Sequence, residues 1–304
     1  MVKILLHIHI YYVKSWHRIE KRIKSLVADK SVKIKILTTV SSSIDDSDIL
    51  KIEQSPIPDM SVIRVPNEGY DIQPFFYVLK SISIDEYDYL IKLHTKNAVF
   101  GIDVKFNGRF ISRIQWTNFL IDAIAGSHKI LVENISRMQS DPTLGMIGSS
   151  YCITKFSSDD EEERRLIENY IRILHADEIS NAQYIAGTMF MVKTEILKPL
   201  IETGLVDEKF EKSESHKLGG SKAHAIERIF GILVSLNNKK ICGFDKSPWK
   251  DLITSRFAHA LRLFAFDKRI TSNGRMLIRI CRIPVCKFKY KKNNQLLNLS
   301  PILR

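Results

Sequence analysis

The stretch YDYLIKLHTKN, residues 87–97, decides the fold of this chain. Residues 88–93 are apolar enough for a strand in the core of an α/β sheet. Three polar residues, His94, Thr95 and Lys96, follow directly. In open α/β sheets, ligands lie beyond the carboxyl ends of the strands. The pattern therefore predicts a central strand that ends at a ligand site with an imidazole, a hydroxyl and an ammonium group.

Around this stretch, strand-like and helix-like segments alternate. In chain order, the segments predicted for the first half are strand 3–10, helix 15–28, strand 32–37, strand 61–65, helix 72–80 and strand 88–93. Those predicted for the second half are helices 111–125, 129–138, 161–174, 194–201 and 222–236, with strands 145–148 and 186–192. This alternation indicates an α/β fold with an open, mostly parallel sheet flanked by helices.

Composition limits the class of protein. The chain has 304 residues, 44% of them hydrophobic, so it can bury a substantial core. No apolar run approaches the roughly 20 residues of a membrane span, and we interpret the His-rich and Tyr-rich start as a first strand rather than a signal peptide. The four cysteines form no CxxC pair, so we expect reduced cytosolic thiols.

The formal charge of +12 is concentrated at the C-terminus, where residues 262–304 hold eleven Lys or Arg and one Asp. A basic segment of this kind favours an acidic partner, such as phospholipid, nucleic acid or a phosphorylated substrate. Leu, Ile and Phe alternate with the basic residues, which we interpret as a helix lying at a membrane surface. We therefore predict a catalytic domain at 1–245 and a basic, amphipathic, helical C-terminal extension at 246–304.

Four motifs carry a resemblance to a known family. They are NEGYDIQPFFYVL (67–79), YDYLIKLHTKN (87–97), AGTMFMVKTEILKPL (186–200) and AHAIERIF (223–230). Their order and spacing closely resemble the rhamnan synthesis protein F family, glycosyltransferases of bacterial surface polysaccharide assembly. The resemblance covers most of the chain but not the basic C-terminal segment, and it implies a GT-A-like fold that binds a nucleotide sugar.

In such folds, a strand usually ends in an Asp-x-Asp pair that holds a divalent metal on the donor diphosphate. Here that position carries His94 and Lys96, and Mg²⁺ prefers carboxylate oxygens. Our hypothesis is that these two residues stabilise the departing nucleoside diphosphate without a metal. The alternative is a packing histidine beside a solvated lysine. A metal held elsewhere, for example by Asp45 or Asp46, stays open.

Further donor-binding candidates lie near the predicted strand ends. His9 and Tyr11 follow the first strand, and an aromatic ring there can stack on a nucleobase. Asp71 can cap the helix that follows it, and it can also contact the sugar or base of the donor, since capping uses only one carboxylate oxygen. Thr188 offers a hydroxyl beside two small residues. The alternatives are an exposed strand face for His9 and core packing for the Thr188 strand.

The AHAIER motif supplies candidates for catalysis. An inverting sugar transfer needs one general base for the acceptor hydroxyl. Glu227 is one candidate, oriented by His224, while Arg228 is expected to bind phosphate or to pair with Glu227. Glu211 and Glu214 are rival bases, and a structural ion-pair cluster is the alternative. Family members typically carry an Asp-Gly pair where this chain has Gly219-Gly220, which leaves the base assignment open.

Taken with the resemblance, these features predict an inverting glycosyltransferase with no required metal cofactor. Its expected donor is dTDP-activated L-rhamnose, which rests on the family name, and its acceptor a lipid-linked glycan of an O-antigen or rhamnan type. We expect a cytoplasmic protein attached peripherally to the inner face of the cell membrane. One alternative is a non-catalytic sugar-binding or scaffold subunit. The other, a nucleic-acid binder, is disfavoured because no such motif is present.

Overall fold

The computed structural model describes most of the chain up to residue 244 and a set of strands beyond it. Side chains are described for residues 1–28, 31–97, 113–156, 160–176, 182–212 and 222–244. Strand segments alone are described at 103–106, 109–112, 266–270, 275–280, 283–290 and 296–301. Two compact units result, one made of Met1–Phe100 with Arg113–Lys246, the other of Gly101–Ser112 with Ser247–Arg304.

A seven-stranded sheet forms the centre of the first unit. Numbered along the chain, its strands are β1 Lys3–Ile10, β2 Lys33–Ser41, β3 Met60–Val65, β4 Tyr89–His94, β7 Leu144–Gly148, β10 Phe190–Lys193 and β11 Lys240–Gly243. Their order across the sheet is β11-β7-β10-β4-β1-β2-β3. Every neighbouring pair is parallel except the two that involve β10. The prediction of an open, mostly parallel α/β sheet is confirmed.

Helices cover the sheet on its faces. They are α1 Trp16–Val27, α2 Asp46–Glu53, α3 Ile72–Ser81, α4 Arg113–Ala125, α5 His128–Ser140, α6 Glu161–Ile173, α7 Lys198–Glu202 and α8 Lys222–Leu236. A short antiparallel pair, β8 Ile153–Lys155 and β9 Gln183–Ile185, lies outside the main sheet. Within the described residues, no helix is both long and apolar enough to cross a bilayer.

An aromatic cluster fixes two of these helices over the sheet. Phe75 of α3, Phe190 of β10 and Phe230 of α8 meet edge to face, with ring centroids 5.3–6.4 Å apart. All three side chains are at most 2% exposed. Aromatic pairs in this geometry add about 0.5–1.5 kcal/mol each beyond their burial. The cluster thereby packs the first turn of α3 and the middle of α8 against β10.

Two local predictions in this unit need correction. No helix was predicted between the strands at 32–37 and 61–65, but α2 begins there at Asp46. The strand predicted at 186–192 begins only at Phe190, because residues 186–189 form a turn, referred to below as the Gly187 turn. Gly187 has φ +99 and Thr188 has φ +49, left-handed values that end regular strand geometry.

The predicted C-terminal helix is wrong. The described parts of this segment form an antiparallel sheet of β12 Phe266–Ile270, β13 Arg275–Ile280, β14 Ile283–Tyr290 and β15 Leu296–Pro301. The second unit also holds a hairpin of β5 Asp103–Phe106 and β6 Arg109–Ser112. Strict alternation in KFKY has the period of two that is typical of a strand, and basic residues within it do not change that period.

The close approach of α8 to β9 gives a stability prediction. A Cβ added at Gly231 would lie 2.0 Å from the Gln183 carbonyl oxygen. We expect Gly231→Ala to lower the free energy of unfolding by about 1–3 kcal/mol, because the backbones must separate. Urea denaturation checks this, with Ser235→Ala on the same helix as the control expected to change it by under about 0.5 kcal/mol. Equal stability of Gly231→Ala and wild type would contradict the packing.

Candidate active site

Four polar side chains line one face of the sheet, where β1 and β4 lie side by side. The register of these parallel strands sets His7 beside Lys92 and His9 beside His94. Since side chains alternate along a strand, all four share one face. His7 and Lys92 are fully buried, and His9 and His94 are each 5% exposed. Buried polar groups need partners, so the elements packed on this face must supply them.

Asp71, the residue before α3, supplies the partner for Lys92. Its side chain makes no helix-capping bond, so the capping alternative is not what the structure has. Instead Asp71 Oδ2 accepts hydrogen bonds from the Lys92 ammonium and from the Thr188 hydroxyl at 2.5 Å. Lys92 Nζ also donates to the Thr188 carbonyl at 3.1 Å. The start of α3, strand β4 and the Gly187 turn therefore meet at one buried ion pair.

Burial and charge together set the ionisation of this cluster. Burial lowers the pKa of Lys92, and Asp71 acts against that shift. Burial alone would raise the pKa of Asp71, but His94, Lys92 and Lys96 hold it well below its usual range. His94 Nδ1 lies 3.5 Å from Asp71 Oδ2, yet burial lowers the pKa of His94 well below its ordinary value. At neutral pH, Asp71 is therefore ionised and His94 is neutral.

The two histidines of β1 share one hydroxyl. Thr39 Oγ1 lies 2.9 Å from His7 Nε2 and 3.0 Å from His9 Nδ1. Burial lowers the pKa of His7 well below its ordinary value, and it lowers the pKa of His9 to about 4. Both rings are therefore uncharged at neutral pH, and Thr39 fixes the orientation of the His9 ring at the end of β1.

Lys96 lies just beyond the end of β4 and contacts an aromatic face. Its Nζ is 4.6 Å from the ring centroid of Trp116 on α4. Burial lowers the pKa of Lys96, against the effect of Asp71 and Glu227. A cation on an aromatic face gains stabilisation without giving its N–H donors to a carboxylate. This arrangement leaves Lys96 able to donate to an anionic ligand.

Helix α8 supports the Gly187 turn. Glu227 Oε1 accepts a hydrogen bond from Gly187 N at 2.7 Å, and Glu227 Oε2 accepts one from Arg228 Nη1 at 2.6 Å. Arg228 Nε in turn lies 2.8 Å from Glu163 Oε1 of α6. Glu227 and Arg228 are each 14% exposed in their side chains. This network holds the backbone that presents Thr188 to Asp71.

Other predicted residues lie around this centre. Tyr11 and Tyr12, directly after β1, are each 38% exposed and meet edge to face at 4.9 Å. The His224 ring lies 6.1 Å from the ring of Tyr70, which places it beside the loop that carries Asp71. Glu211 contributes its backbone carbonyl, which accepts from Gly69 N at 3.1 Å.

The structure describes two of the remaining candidate carboxylates, Asp45 and Asp46, but not Glu214. Asp46 forms an ion pair with Arg64, and Asp45 precedes α2. Glu214 and the departure at residues 219 and 220 lie outside the described residues. The structure therefore brings together His9, Asp71, His94, Lys96 and Thr188, with Glu227 and Arg228 behind the Gly187 turn.

Sequence reasoning missed several members of the site. Lys92, Trp116 and Glu163 fell within predicted strands or helices and were given no other role, and Thr39 lay beyond the predicted strand 32–37. Only Lys92 carried a usable signal, since a lone lysine inside the buried strand YLIKLH needs a charge partner. That partner is 21 residues away in sequence, so the local pattern does not reveal it.

The donor atoms at this site do not fit a divalent cation. Asp71 Oδ2 is shared by an ammonium and a hydroxyl, and both Glu227 oxygens accept N–H donors. The cations near Asp71 are the ammonium groups of Lys92 and Lys96, whereas Mg²⁺ or Mn²⁺ prefers carboxylate oxygens. Among the residues whose side chains are described, no group of three or more His, Cys, Asp or Glu is arranged to hold a metal ion.

The buried pair gives a second stability prediction. We expect Lys92→Met to lower the free energy of unfolding by about 3–5 kcal/mol, because it leaves the Asp71 carboxylate unpaired in a buried site. Adding Asp71→Asn should recover part of this loss. Lys80→Met is the matched control on α3, since its ion pair with Asp207 is exposed and should contribute under about 1 kcal/mol. Chemical denaturation at pH 7 measures all four proteins, and a Lys92→Met loss no larger than the control would contradict the assignment.

Curated relatives are few and distant. The uncharacterized protein WxcX of Xanthomonas campestris pv. campestris is 24% identical over 193 residues, which is 60% of this chain and 26% of the relative. A second strain of the same organism carries an equally similar protein. The chain therefore spans about a quarter of the length of the curated relatives it matches.

Solved structures with a similar fold are glycosyltransferases. One is the mannosyltransferase PcManGT of Pyrobaculum calidifontis in complex with GDP-Man and Mn²⁺, 12% identical, with a TM-score of 0.40 over 85% of this chain and 64% of that one. Another is S. aureus TarS 1–349 in complex with UDP-GlcNAc, 11% identical, with a TM-score of 0.40 over 87% of this chain and 66% of that one. At these values the likeness concerns the general arrangement of the chain and no individual residue.

The family assignment rests on the sequence itself. The pattern of one family matches residues 1–239, which is most of the chain and includes every strand of the seven-stranded sheet except β11. It also contains the whole cluster around Asp71 and Lys92. The chain belongs to the rhamnan synthesis protein F family.

Proposed function

We propose that this chain is a glycosyltransferase that moves a sugar from a nucleotide-activated donor to a growing cell-surface polysaccharide. The observation that carries the proposal is the cluster of Lys92, Asp71, His94 and Thr188 at the carboxyl end of β4, with Lys96 beside it. Ligands of open α/β sheets bind at this edge. Family membership supports the same class of reaction.

Lys96 and His94 are the groups we assign to the leaving diphosphate. Lys96 supplies a cation at the end of the strand, and an ammonium stabilises a phosphate oxygen by a charge-assisted hydrogen bond. His94 is neutral at neutral pH because burial lowers its pKa, so its contribution is a hydrogen bond rather than a charge. Preorganised donors of this kind stabilise charge that develops on a leaving group.

Asp71 and Thr188 are assigned to the donor sugar. Between described residues, the hydrogen bonds to the Asp71 carboxylate fall on Oδ2, so Oδ1 is suited to accept from a sugar hydroxyl. A carboxylate with a strongly lowered pKa is a weak base, and this favours a binding role over proton abstraction. Lys92 and Thr188 hold it in place.

The nucleobase is assigned to the end of β1. Tyr11 and Tyr12 are the half-exposed aromatic residues there, and stacking on an aromatic ring contributes about 1–3 kcal/mol for each base. His9 lies below them with its ring fixed by Thr39. dTDP-activated L-rhamnose is the donor we propose, on the strength of the family description.

Inversion at the anomeric carbon needs a single general base. Glu227 accepts two hydrogen bonds, one on each oxygen, so acting as the base would require it to release Gly187 or Arg228. We therefore favour a positioning role for Glu227, and for Arg228 behind it, with His224 close to the acceptor side beside Tyr70. Glu214 remains the rival base as a prediction from the sequence.

The acceptor and the place of action are proposed from charge and family alone. A lipid-linked glycan at the inner face of the cell membrane fits a chain whose last 43 residues hold eleven basic residues. Basic residues near an anionic surface contribute about 1 kcal/mol each, whether they lie on strands or on a helix. The proposal is a cytoplasmic enzyme attached to that surface by its C-terminal unit.

A second candidate is a sugar-binding subunit that does not turn over its ligand. The observation that favours it is the engagement of both Glu227 oxygens, together with glycines at 219 and 220. Such a subunit would bind the nucleotide sugar at the same cluster. Donor hydrolysis or sugar transfer by the purified chain would distinguish the enzyme from the subunit.

Nucleotide binding tests the site that both candidates share. We expect dTDP to raise the melting temperature, since a ligand at 100 times its Kd stabilises the folded state by about 2.7 kcal/mol. Lys96→Ala should weaken binding about 10-fold to 100-fold, the usual range for one hydrogen bond to a charged group. Calorimetric titration measures the affinity directly.

Lys129→Ala is the control for that titration, because Lys129 is an exposed lysine on α5. We expect it to bind dTDP as the wild type does. If the wild type bound none of dTDP, UDP, GDP or their sugars, the transferase proposal would be overturned. Equal affinity of Lys96→Ala and wild type would remove Lys96 from the diphosphate site.

A further inference from the structure

Thr95, the middle residue of His94-Thr95-Lys96, has no role in the proposal above. Its hydrogen bonds are with the end of β1 and the residues that follow it. Thr95 is 4% exposed, so its side chain is withdrawn from solvent. Its Oγ1 accepts hydrogen bonds from Tyr11 N at 3.0 Å and from Tyr12 N at 2.9 Å. Its own backbone N donates to the His9 carbonyl at 2.9 Å. Thr95 therefore forms hydrogen bonds with three backbone groups at the end of β1 and just after it, the His9 carbonyl and the N–H groups of Tyr11 and Tyr12.

A second hydroxyl, that of Ser15, also links the segment after β1 to the segment after β4. Ser15 directly precedes α1, but its side chain makes no helix-capping bond. Its Oγ instead donates to the Lys96 carbonyl at 2.8 Å. The segment after β1, residues 11–15, is therefore attached to the segment after β4 at both of its ends.

We propose that Thr95 is a positioning residue that holds the Tyr11–Tyr12 pair at a fixed distance from Lys96, so that nucleobase and diphosphate are bound together. The inference rests on the proposed function, because it assigns the aromatic pair to the base and Lys96 to the diphosphate. A hydroxyl that accepts from two successive N–H groups fixes the direction of that backbone, and with it the two tyrosine rings.

This arrangement predicts a selective effect on ligand recognition. Without the hydroxyl, the two backbone N–H groups lose their acceptor and the tyrosine pair loses its fixed position. Lys96 keeps its contact with Trp116 on α4, which does not depend on Thr95 Oγ1. The contribution of the base to binding should fall, while the contribution of the diphosphate alone should not.

The experiment compares dTDP with inorganic pyrophosphate in calorimetric titrations of the full chain. For Thr95→Val, nearly equal in volume to threonine, we expect about 10-fold weaker binding of dTDP and an affinity for pyrophosphate within about 2-fold of wild type. Thr95→Ser keeps the hydroxyl and should restore dTDP binding. A residue needed only for folding would change both affinities together.

Thr38→Val is the matched control. Thr38 is a fully buried threonine of β2, and among the described residues its hydroxyl has no partner. We expect both affinities to be unchanged. A parallel loss of dTDP and pyrophosphate binding in Thr95→Val, or no loss at all, would overturn the inference while leaving wild-type nucleotide binding in place. Failure of the wild type to bind dTDP, UDP or GDP would instead overturn the proposed function itself.

Discussion

The site depends on one interaction, the buried ion pair between Lys92 and Asp71. A fully buried ammonium is costly to desolvate, and in this position only a nearby carboxylate offsets that cost. Asp71 directly precedes α3. The Thr188 hydroxyl, which also donates a hydrogen bond to the Asp71 carboxylate, belongs to the Gly187 turn. The pair therefore fixes a helix, a strand and a turn relative to one another, at the sheet edge where we propose that the donor binds.

The same pair makes the site cationic, and its donor atoms do not match those that a divalent cation prefers. In a site that binds a divalent ion, carboxylate oxygens surround the position of the ion and have no other cation as a partner. Here the Asp71 carboxylate already forms an ion pair with Lys92 of the same chain. Lys96 lies four residues further along the chain, against the ring of Trp116. Fixed ammonium groups supply positive charge and directed donors to a diphosphate, and they need no dissociable ion.

The sequence was sufficient for features that depend on local periodicity. Helix 222–236 was predicted at its observed bounds. Strands β1 to β4 and β7 followed from their apolar runs, because burial alone selects those residues, whereas β11 was not predicted. The carboxyl edge of the sheet also followed from the predicted topology, while a ligand site after β4 stays a prediction. Each of these features depends only on residues that are close in sequence or on the order of the helices and strands along the chain.

Contacts between distant segments could not be predicted in this way. Asp71 was equally compatible with a helix cap, and only the folded chain shows that Lys92 takes its oxygen. Glu227 was one candidate base, and the local pattern could not show that it accepts a hydrogen bond from Gly187, which lies 40 residues away. The C-terminal segment was misjudged because basic and apolar residues that alternate fit a strand better than a helix.

The most direct test of the account is the metal dependence of nucleotide binding and sugar transfer. Affinity for dTDP, and turnover of its sugar with a glycan acceptor, would be measured in EDTA and then with added Mg²⁺ or Mn²⁺. The account predicts the same affinity and rate in all three conditions, because Lys96 and His94 act where an ion otherwise would. Binding or transfer that requires Mg²⁺ or Mn²⁺ would contradict it and would direct attention to carboxylates outside the Asp71–Lys92 cluster.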